Sequence, residues 1–262
     1  MPVSSAIRFA LAILVAASSA LAFAQAQKAP AAYEPSVGQE GKDVVWVPTP
    51  QAVVDKMLDM AKVTPADFVM DLGSGDGRTV ITAAKRGARA LGIEYNPDMV
   101  ELSKRNAEKE GVAGRATFRK ADLFETDFSQ ATVITMFLLP DINLKLRPQI
   151  LRLKPGTRVV SNSFDMGDWK ADERFTLDSD ACGNSSWCTA LLWIVPARVE
   201  GSYSLPQGEL VLKQQFQMLS GTLRTEGKTF ALQGKVTGED FRFKAGGKEY
   251  TGKLNGKQLE LK

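Results

Sequence analysis

The sequence predicts an α/β protein, with a Rossmann-like, mostly parallel sheet that ends in an antiparallel edge hairpin, followed by a small C-terminal antiparallel β module. Three observations predict this fold class. Short apolar segments alternate with helical patterns between residues 67 and 164. A glycine-rich turn follows the first apolar segment, and glycine-punctuated alternating segments fill the chain after residue 198. The chain has 262 residues, 44% of them hydrophobic, which is enough for one full-sized core and a small second domain.

The first 24 residues have the layout of a secretory signal peptide. Arg8 precedes an apolar run that begins at Phe9 and ends in the small residues Ala22 and Ala24. This run is short for a membrane span and contains two adjacent serines, which favours cleavage after Ala24 or Ala26. We therefore expect a protein secreted across the inner membrane into the periplasm, with no transmembrane segment in the mature chain. The alternative is a leader that stays uncleaved and anchors the protein to the membrane.

The rest of the chain divides into three predicted parts. Residues 25–45 are rich in Ala, Pro, Gln and Gly, which is typical of a flexible arm. Residues 46–197 form the domain with the parallel sheet, and residues 198–262 form a β-meander module. In that module, segments 232–243 and 250–261 share glycine turns and alternating apolar residues, a pattern that fits hairpins and also fits a true internal repeat.

Each element of the parallel-sheet domain has its own local pattern. Thr49 as N-cap and Pro50 as first helical residue predict a helix start, and Asn96 with Pro97 predicts a second start of the same kind. The further predicted elements, in chain order, cover 67–72 (strand), 78–86 (helix), 89–94 (strand), 97–110 (helix), 115–120 and 131–138 (strands), 141–153 (helix) and 157–164 (strand).

The two cysteines, Cys182 and Cys188, lie between segments 173–179 and 189–199, which predict an antiparallel hairpin at one sheet edge. Behind a secretory leader, two close cysteines across a turn predict a disulfide, the alternative being two unrelated thiols. Two cysteines in a chain without histidine cannot complete a zinc site, so we expect no metal. The lack of histidine also excludes an imidazole general base. Cleavage after Ala24 leaves 32 basic and 30 acidic side chains, without the positive excess of a nucleic-acid binder.

The segment DLGSGDGR (71–78) places three glycines at alternate positions directly after the first predicted strand. A P-loop would need lysine and a different spacing, and a dinucleotide fingerprint would need glycine at the position of Arg78. Asp76 would also face a bound phosphate with a negative charge. S-adenosylmethionine has no phosphate and carries a positive sulfonium, so the acidic turn favours this cofactor.

Acidic residues follow three successive predicted strands. Asp71 ends the first strand and can bind the ammonium group of the ligand. Glu94 ends the second, where an acidic residue binds ribose hydroxyls in nucleotide-binding βαβ units. Asp122 follows the third, where its carboxylate can accept a hydrogen bond from the adenine amino group. Each one alone is compatible with a solvated carboxylate, but the three together around one glycine turn predict a site for S-adenosylmethionine.

The segments VMDLGSGDGR, GIEYNPDMVELSKRNA and ADLF resemble motifs of the class I, Rossmann-like S-adenosylmethionine-dependent methyltransferases, over roughly residues 46–197. VPTP together with DLGSGDGR is similar to the mitochondrial lysine methyltransferases that act on the ATP synthase c-subunit and the adenine nucleotide translocase. It is also similar to secreted bacterial methyltransferase-domain proteins. The resemblance implies a methyltransferase. The predicted cofactor-binding residues are Asp71, Gly73, Ser74, Gly75, Gly77, Glu94, Tyr95, Asp122 and Leu123.

The acceptor mouth is expected where the fourth parallel strand ends. A lysine acceptor must lose a proton before it is methylated, and an apolar mouth lowers the pKa of its amine. Asp141 and Asn143 are candidate catalytic contacts, or else a helix cap and a surface residue. Trp46 is expected either to close over the site or to pack against the sheet. The predicted mouth residues are Trp46, Phe137, Leu138, Leu139 and Pro140.

The methyl acceptor stays open between a protein lysine, a small molecule and a lipid. The segment FLLPD lacks the signature of base and glutamine N-methyltransferases, and no Pro-Cys nucleophile for pyrimidine C5 methylation stands there. A non-catalytic, nucleoside-binding envelope protein is the alternative from another class. Aminopropyl transfer from decarboxylated S-adenosylmethionine is disfavoured by Asp71, because that cofactor lacks the carboxylate next to the ammonium.

Overall fold

The computed structural model describes residues 33–183, 185–206, 208–255 and 258–261. The predicted leader and the first part of the predicted arm lie outside the described residues. In the described part of the chain, no helix has the length and the apolar character that crossing a membrane requires.

The predicted mostly parallel sheet is confirmed. Its helices and strands, with the flanking helix, are α1 (Gln51–Met60), β1 (Phe68–Leu72), α2 (Arg78–Lys85), β2 (Arg89–Glu94), α3 (Pro97–Lys109), β3 (Ala116–Lys120), β4 (Val133–Met136), α4 (Pro140–Ile150), β5 (Arg158–Asn162), β6 (Glu173–Thr176) and β7 (Thr189–Ile194). The strand order is β3-β2-β1-β4-β5-β7-β6. Strands β1 to β5 run parallel, whereas β7 pairs antiparallel with both β5 and β6. The predicted edge hairpin is therefore present as well.

Helices cover both faces of this sheet. Successive residues of a strand point to opposite faces. Val69 of β1 accordingly belongs to the apolar core that includes α1 and α2, whereas Met70 and Leu72 belong to the core that includes α4. A strand covered on both faces is expected to be apolar throughout. Asp71 interrupts that pattern in β1 although it is only 6% exposed, which marks it as a residue with a role other than packing.

Two helix starts were predicted from caps, and only one prediction is correct. Asn96 Oδ1 accepts a hydrogen bond from the backbone N–H of Asp98 at 2.9 Å, and Pro97 opens α3 as expected. The prediction for α1 is wrong by one residue, because Pro50 is the cap and no side chain caps this end. The carbonyl of Thr49 instead accepts a hydrogen bond from Arg78 Nη1 at 2.9 Å. This contact ties the start of α1 to the glycine-rich turn.

The β module is a second, fully antiparallel sheet. Its strands are β8 (Gly201–Leu205), β9 (Gly208–Gln215), β10 (Met218–Thr225), β11 (Lys228–Thr237), β12 (Asp240–Ala245), β13 (Lys248–Asn255) and β14 (Gln258–Leu261). Each strand pairs with the next one along the chain, which confirms the meander. Alternate apolar residues of these strands build a core of the module's own. The boundary at residue 198 stays a prediction.

The module contacts the loop between β5 and β6. The Phe216 ring stacks on Trp169 with ring centroids 6.1 Å apart. Gln217 Nε2 donates a hydrogen bond to the carbonyl of Lys170 at 2.7 Å, and Lys235 Nζ lies 2.7 Å from Asp172 Oδ1. The carboxylate of Asp172 is nearly buried and also accepts from the backbone of β7. These contacts therefore join the second sheet to the edge of the first.

Candidate active site

A deep cleft lies at the carboxyl ends of β1, β2 and β4. In this strand order the chain leaves β1 toward β2 on one side and reaches β4 on the other, and such a switch point is where open α/β sheets bind ligands. The cleft measures about 1050 Å³ with its open mouth included. Asp71, Glu94 and Met136, at or next to the ends of their strands, all line it.

The glycine turn forms one wall of this pocket. Gly73 and Gly75 line it, with φ values of +83° and +54° that only glycine adopts readily. A Cβ on Gly75 would lie 2.7 Å from Trp46 Nε1, so the indole covers this peptide directly. Gly77 is different from the prediction, since it does not line the pocket. It is the residue before α2, and a Cβ there would lie 2.8 Å from the Phe118 ring, so close packing explains this glycine.

Glu94 is held by the backbone of the turn that it faces. Its Oε2 accepts a hydrogen bond from the N–H of Gly75 and its Oε1 accepts from the N–H of Asn96, both at 2.9 Å. A carboxylate has about four acceptor positions, so two remain for hydroxyl groups of a ligand. Glu94 therefore both fixes the glycine turn and presents acceptors to the pocket.

Asp71 is a buried acid at the floor of the pocket. Burial raises the pKa of its carboxyl to about 7, and the negative charges of Glu94 and Asp76 add to this rise. The hydroxyl of Thr135, its neighbour across β4, donates to Asp71 Oδ1 at 2.6 Å and opposes the rise in pKa. None of the described basic side chains forms an ion pair with Asp71. A ligand cation placed here would hold the carboxylate in its charged form.

The acid within the turn already has a partner. Arg78 Nη2 lies 2.6 Å from Asp76 Oδ2, and the same guanidinium bonds the carbonyl of Thr49. Asp76 still lines the pocket. The positive charge of Arg78 thus offsets the negative charge of Asp76, and Arg78 links the glycine turn to the chain before α1.

Asp122 and Tyr95 meet a residue that sequence reasoning missed. Lys42 forms an ion pair with Asp122 Oδ2 and lies 4.9 Å above the centre of the Tyr95 ring. The hydrogen bond from Lys42 lowers the pKa of Asp122, and the backbone N–H of Phe124 adds to this effect. Leu123 also lines the pocket, as predicted. The composition of residues 25–45 predicted a flexible arm, so nothing in the sequence marked Lys42 as a pocket residue.

The chain before α1 forms a loop over the pocket. The N–H of Gly38 donates to the carbonyl of Trp46 at 2.8 Å, and the N–H of Trp46 donates to the carbonyl of Gln39 at 2.9 Å. This N-terminal loop, residues 38–46, contributes a run of lining residues from Gln39 onward. Trp46 therefore closes over the site, which is one of the two arrangements expected for it.

The residues after β4 divide between the pocket and a second groove. Phe137 and Leu138 line the pocket, and Leu138 is buried against Gly73. Leu139 is exposed and lines the second groove instead, and Pro140 opens α4 without lining either.

The two candidate catalytic residues are not brought to the pocket. Asp141 is exposed in the first turn of α4. Asn143 is fully buried, and its Nδ2 donates to the carbonyls of Phe164 and Asp165 at 3.3 and 3.1 Å. The expectation of a catalytic contact or a surface position for Asn143 is therefore corrected: it braces the loop after β5. Neither residue lines the pocket.

The second groove adjoins the pocket and is apolar. It measures about 480 Å³ with its open side included. Phe137 and three valines of the chain before α1 line both cavities. The described residues that line the groove carry no charge; they are Val44, Val45, Val47, Phe137, Leu139, Phe164 and Trp187. Sequence reasoning found Phe137 and Leu139 but missed Phe164 and Trp187, which follow β5 and precede β7.

A disulfide joins Cys182 and Cys188, as predicted, with their Cα atoms 5.9 Å apart. The bridge closes the turn between β6 and β7, and both cysteines are buried. It lies directly before the hairpin strand β7, and Trp187 of the groove is the residue immediately before Cys188.

The pocket fits S-adenosylmethionine on three observations. Asp71 is a buried acid that lacks a cationic partner among the described residues, Glu94 has free acceptor positions, and Ser74 Oγ is buried without a hydrogen-bond partner in the described part of the chain. The glycine turn also leaves room for close approach of a ligand to its backbone.

The sequence is similar to known proteins whose activity is consistent with a site for S-adenosylmethionine. The sequence profile of the ANTKMT methyltransferase domain matches residues 71–173. A protein-lysine N-methyltransferase of Saccharolobus islandicus (strain REY15A) is 50% identical over 133 residues, which cover 50% of this chain and 83% of that protein. The ATP synthase c-subunit lysine N-methyltransferase of Homo sapiens is 37% identical over 128 residues, and the match covers 48% of this chain and 54% of that protein. The chain thus spans about half the length of the human relative.

The fold and the sequence are also similar to those of a solved methyltransferase structure. It is an RNA methyltransferase from Salinibacter ruber in complex with S-adenosyl-L-homocysteine, and it is 48% identical with a TM-score of 0.54. The match covers 58% of this chain and 96% of that one. S-adenosyl-L-homocysteine is the compound that remains when S-adenosylmethionine has lost its methyl group. The chain therefore belongs to the class I S-adenosylmethionine-dependent methyltransferases, in the family of the ANTKMT methyltransferase domain.

Proposed function

We propose that the protein is a protein-lysine N-methyltransferase. The observation that carries the proposal is the uncharged, aromatic groove that adjoins the cofactor pocket, with Phe137 lining both cavities. A lysine side chain is a long apolar stem that ends in an amine, and an apolar groove can cover such a stem along its length. The lysine N-methyltransferases of Saccharolobus islandicus and Homo sapiens support the same class of acceptor.

The pocket residues have distinct roles in this proposal. When bound, S-adenosylmethionine supplies a methyl group on a positively charged sulfur. Asp71 would hold the ammonium group, because its buried carboxylate gains a cationic partner there. Glu94 would accept hydrogen bonds from the ribose hydroxyls, and Asp122 would accept one from the adenine amino group. Trp46 covers the glycine turn at Gly75.

The acceptor amine needs a free electron pair to react. In the transfer, the lone pair of the neutral amine forms a nitrogen–carbon bond to the methyl group. The carbon–sulfur bond breaks at the same time, and the electron pair of that bond stays on sulfur. None of the described side chains that line the groove can take up a proton near neutral pH. The apolar walls instead disfavour the charged ammonium and lower its pKa, so that the proton leaves to water. Beyond that, holding the amine in line is the main contribution of the protein.

We propose that the protein acts outside the cytoplasm, in the periplasm. The layout of the leader supports this location, and so does the disulfide, because disulfides persist in oxidising compartments. Mass spectrometry of native protein that is alkylated without a reductant tests the location. We expect no alkylated thiol at Cys182 or Cys188 and an N-terminus near residue 25. Two alkylated cysteines on a chain that retains its leader would contradict export.

A second acceptor class rests on the Salinibacter ruber protein, which is described as an RNA methyltransferase. The nearly equal numbers of basic and acidic residues favour a protein acceptor over RNA. Incubation with methyl-labelled S-adenosylmethionine and an envelope extract, a lipid extract or total RNA in parallel separates the candidates. We expect label in a protein fraction. Label confined to lipid, small molecules or RNA would contradict lysine methylation. No label with any acceptor would favour a nucleoside-binding protein without activity.

A further inference from the structure

Three aromatic rings meet at the groove beside the cofactor pocket. The centroids of Phe137 and Phe164 are 5.8 Å apart, those of Phe164 and Trp187 are 5.0 Å apart, and those of Phe137 and Trp187 are 6.0 Å apart. Each ring therefore contacts the other two. All three are half-buried, so each keeps an accessible surface. We call these three residues the aromatic wall.

Phe164 is fixed in this wall by its backbone. The preceding residue, Ser163, has a φ of +60°, which is unfavourable for any residue other than glycine and so needs support from neighbouring contacts. Hydrogen bonds hold the bend: the N–H of Ser163 donates to the carbonyl of Thr189 at 2.7 Å, and Ser161 Oγ donates to the carbonyl of Phe164 at 2.7 Å. Asn143 Nδ2 reaches the same carbonyl from α4. The strained turn therefore sets the position of one ring.

Trp187 has no strand or helix of its own to position it. It lies in the loop that the bridge between Cys182 and Cys188 closes, directly before Cys188. Its backbone N–H donates to Ser185 Oγ at 3.1 Å, within the same loop. Cys182 and Cys188 are buried, whereas Trp187 extends to the groove. The disulfide is thus the covalent tie that holds the third ring near the other two.

We propose that Trp187, held by the disulfide between Cys182 and Cys188, is part of the acceptor site, and that the stem of the acceptor lysine lies along this member of the aromatic wall. This inference rests on the proposed function. Three features carry it: the groove adjoins the cofactor pocket and shares Phe137 with it, its lining is apolar and uncharged, and its aromatic faces can pack against the alkyl stem of a lysine. Reduction of the disulfide then weakens acceptor binding and leaves cofactor binding unchanged, since none of the described residues between Cys182 and Cys188 lines the cofactor pocket.

The test measures binding rather than turnover. The probe is N-acetyl-lysine methylamide, titrated into the protein loaded with S-adenosyl-L-homocysteine and followed by saturation-transfer NMR. Trp187→Ala should weaken probe binding at least fivefold, because the contact between the indole face and the alkyl stem of the probe is lost. Trp187→Phe should retain most of the affinity. Phe175→Ala is the matched control, because Phe175 is an exposed aromatic residue of β6 outside the groove.

The disulfide is tested with the same probe. The double variant Cys182→Ser with Cys188→Ser, and the wild type treated with dithiothreitol, should each bind the probe several-fold more weakly. Calorimetry should give an affinity for S-adenosylmethionine within twofold of the oxidised wild type in every variant. A loss of cofactor affinity that matches the loss of probe affinity would overturn the proposal, because it would mean general unfolding.

The remaining outcomes separate this inference from the proposed function. If lysine is labelled but probe binding is the same in Trp187→Ala, the inference fails and lysine methylation stands. If probe binding depends on Trp187 but no lysine is labelled, the inference on the groove stands as an amine site and the proposed function fails. A wild type that does not bind the probe overturns the inference, whatever the labelling shows.

Discussion

Glu94 and Gly75 are joined by a hydrogen bond, in which the backbone N–H of Gly75 donates to Glu94 Oε2 at 2.9 Å. The other oxygen of the same carboxylate accepts from the N–H of Asn96. The acid that ends β2 therefore fixes the glycine turn before any ligand binds. The sequence predicted Glu94 as a contact for a ligand alone, and the structure adds this support of the turn.

Glu94→Ala should weaken binding of S-adenosylmethionine by about tenfold or more, since hydrogen bonds to a charged group contribute roughly 1.5–3 kcal/mol each. It should also lower the melting temperature of the ligand-free protein, because two backbone N–H groups lose their acceptor. Glu101→Ala is the control, since this exposed acid pairs only with Lys104 on the surface of α3 in the described structure. Calorimetry and thermal melting measure the two effects. Unchanged affinity contradicts the ribose contact, and an unchanged melting temperature contradicts the support of the turn.

Binding of S-adenosylmethionine should release a proton at pH values somewhat below 7. Burial raises the pKa of Asp71 to about 7, so part of the ligand-free protein carries a protonated carboxyl at pH 6 to 7. A cation beside it favours the ionised form and lowers that pKa, so affinity should rise as the pH rises through about 7. Calorimetry at pH 6.5 in two buffers of different ionisation enthalpy counts the protons released. Asp71→Asn should bind more weakly and release none, and equal proton release by wild type and variant would contradict the role of Asp71.

Lys42→Ala should speed the release of S-adenosyl-L-homocysteine without changing the melting temperature. Lys42 ties the N-terminal loop to Asp122 across the pocket, and its charge lies over the Tyr95 ring. The pair is exposed, so it contributes little to folding, but it holds the loop closed. Stopped-flow displacement measures the release rate, with Lys104→Ala, whose pair lies on α3, as the control. A release rate equal to that of the control would show that the loop does not retain the ligand.

A chain ending at Pro196 should keep its affinity for S-adenosylmethionine but melt at a lower temperature. The described pocket residues lie between residues 39 and 142, so the β module contributes none of them. Removal of the module exposes Trp169 to water and leaves the carboxylate of Asp172 without Lys235. Lys235→Ala in the full chain tests the second effect alone and should also lower the melting temperature. A folded truncated chain that has lost cofactor binding would show that the module supports the site.

The sequence located three acids that line the predicted cofactor pocket. The acids Asp71, Glu94 and Asp122 were found because each lies at or shortly after the end of a predicted strand, and the carboxyl ends of parallel strands meet at one edge. Gly77 was assigned to the pocket because the motif has three glycines, yet its role is to make room for Phe118. A spacing pattern identifies glycines without telling which neighbour requires them.

The acceptor side was found only in part, for a different reason. Phe164 and Trp187 come together through a bend at Ser163 and a disulfide-closed loop, and neither long-range contact leaves a periodic pattern in the sequence. The position of Trp187 next to a paired cysteine was the one available indication. Lys42 was missed because composition predicts flexibility, whereas the ion pair that orders this residue is made with a distant part of the chain.

Amino-acid analysis of labelled protein is the most direct test of the account. The protein, methyl-labelled S-adenosylmethionine and an envelope extract are incubated together, and the protein fraction is hydrolysed and separated into amino acids. We predict that the label elutes as methylated lysine, and that the Asp71→Asn variant, which lacks the buried acid of the cofactor pocket, produces far less of it. Label in another amino acid, or no label in protein while the same preparation binds the cofactor, would contradict lysine methylation.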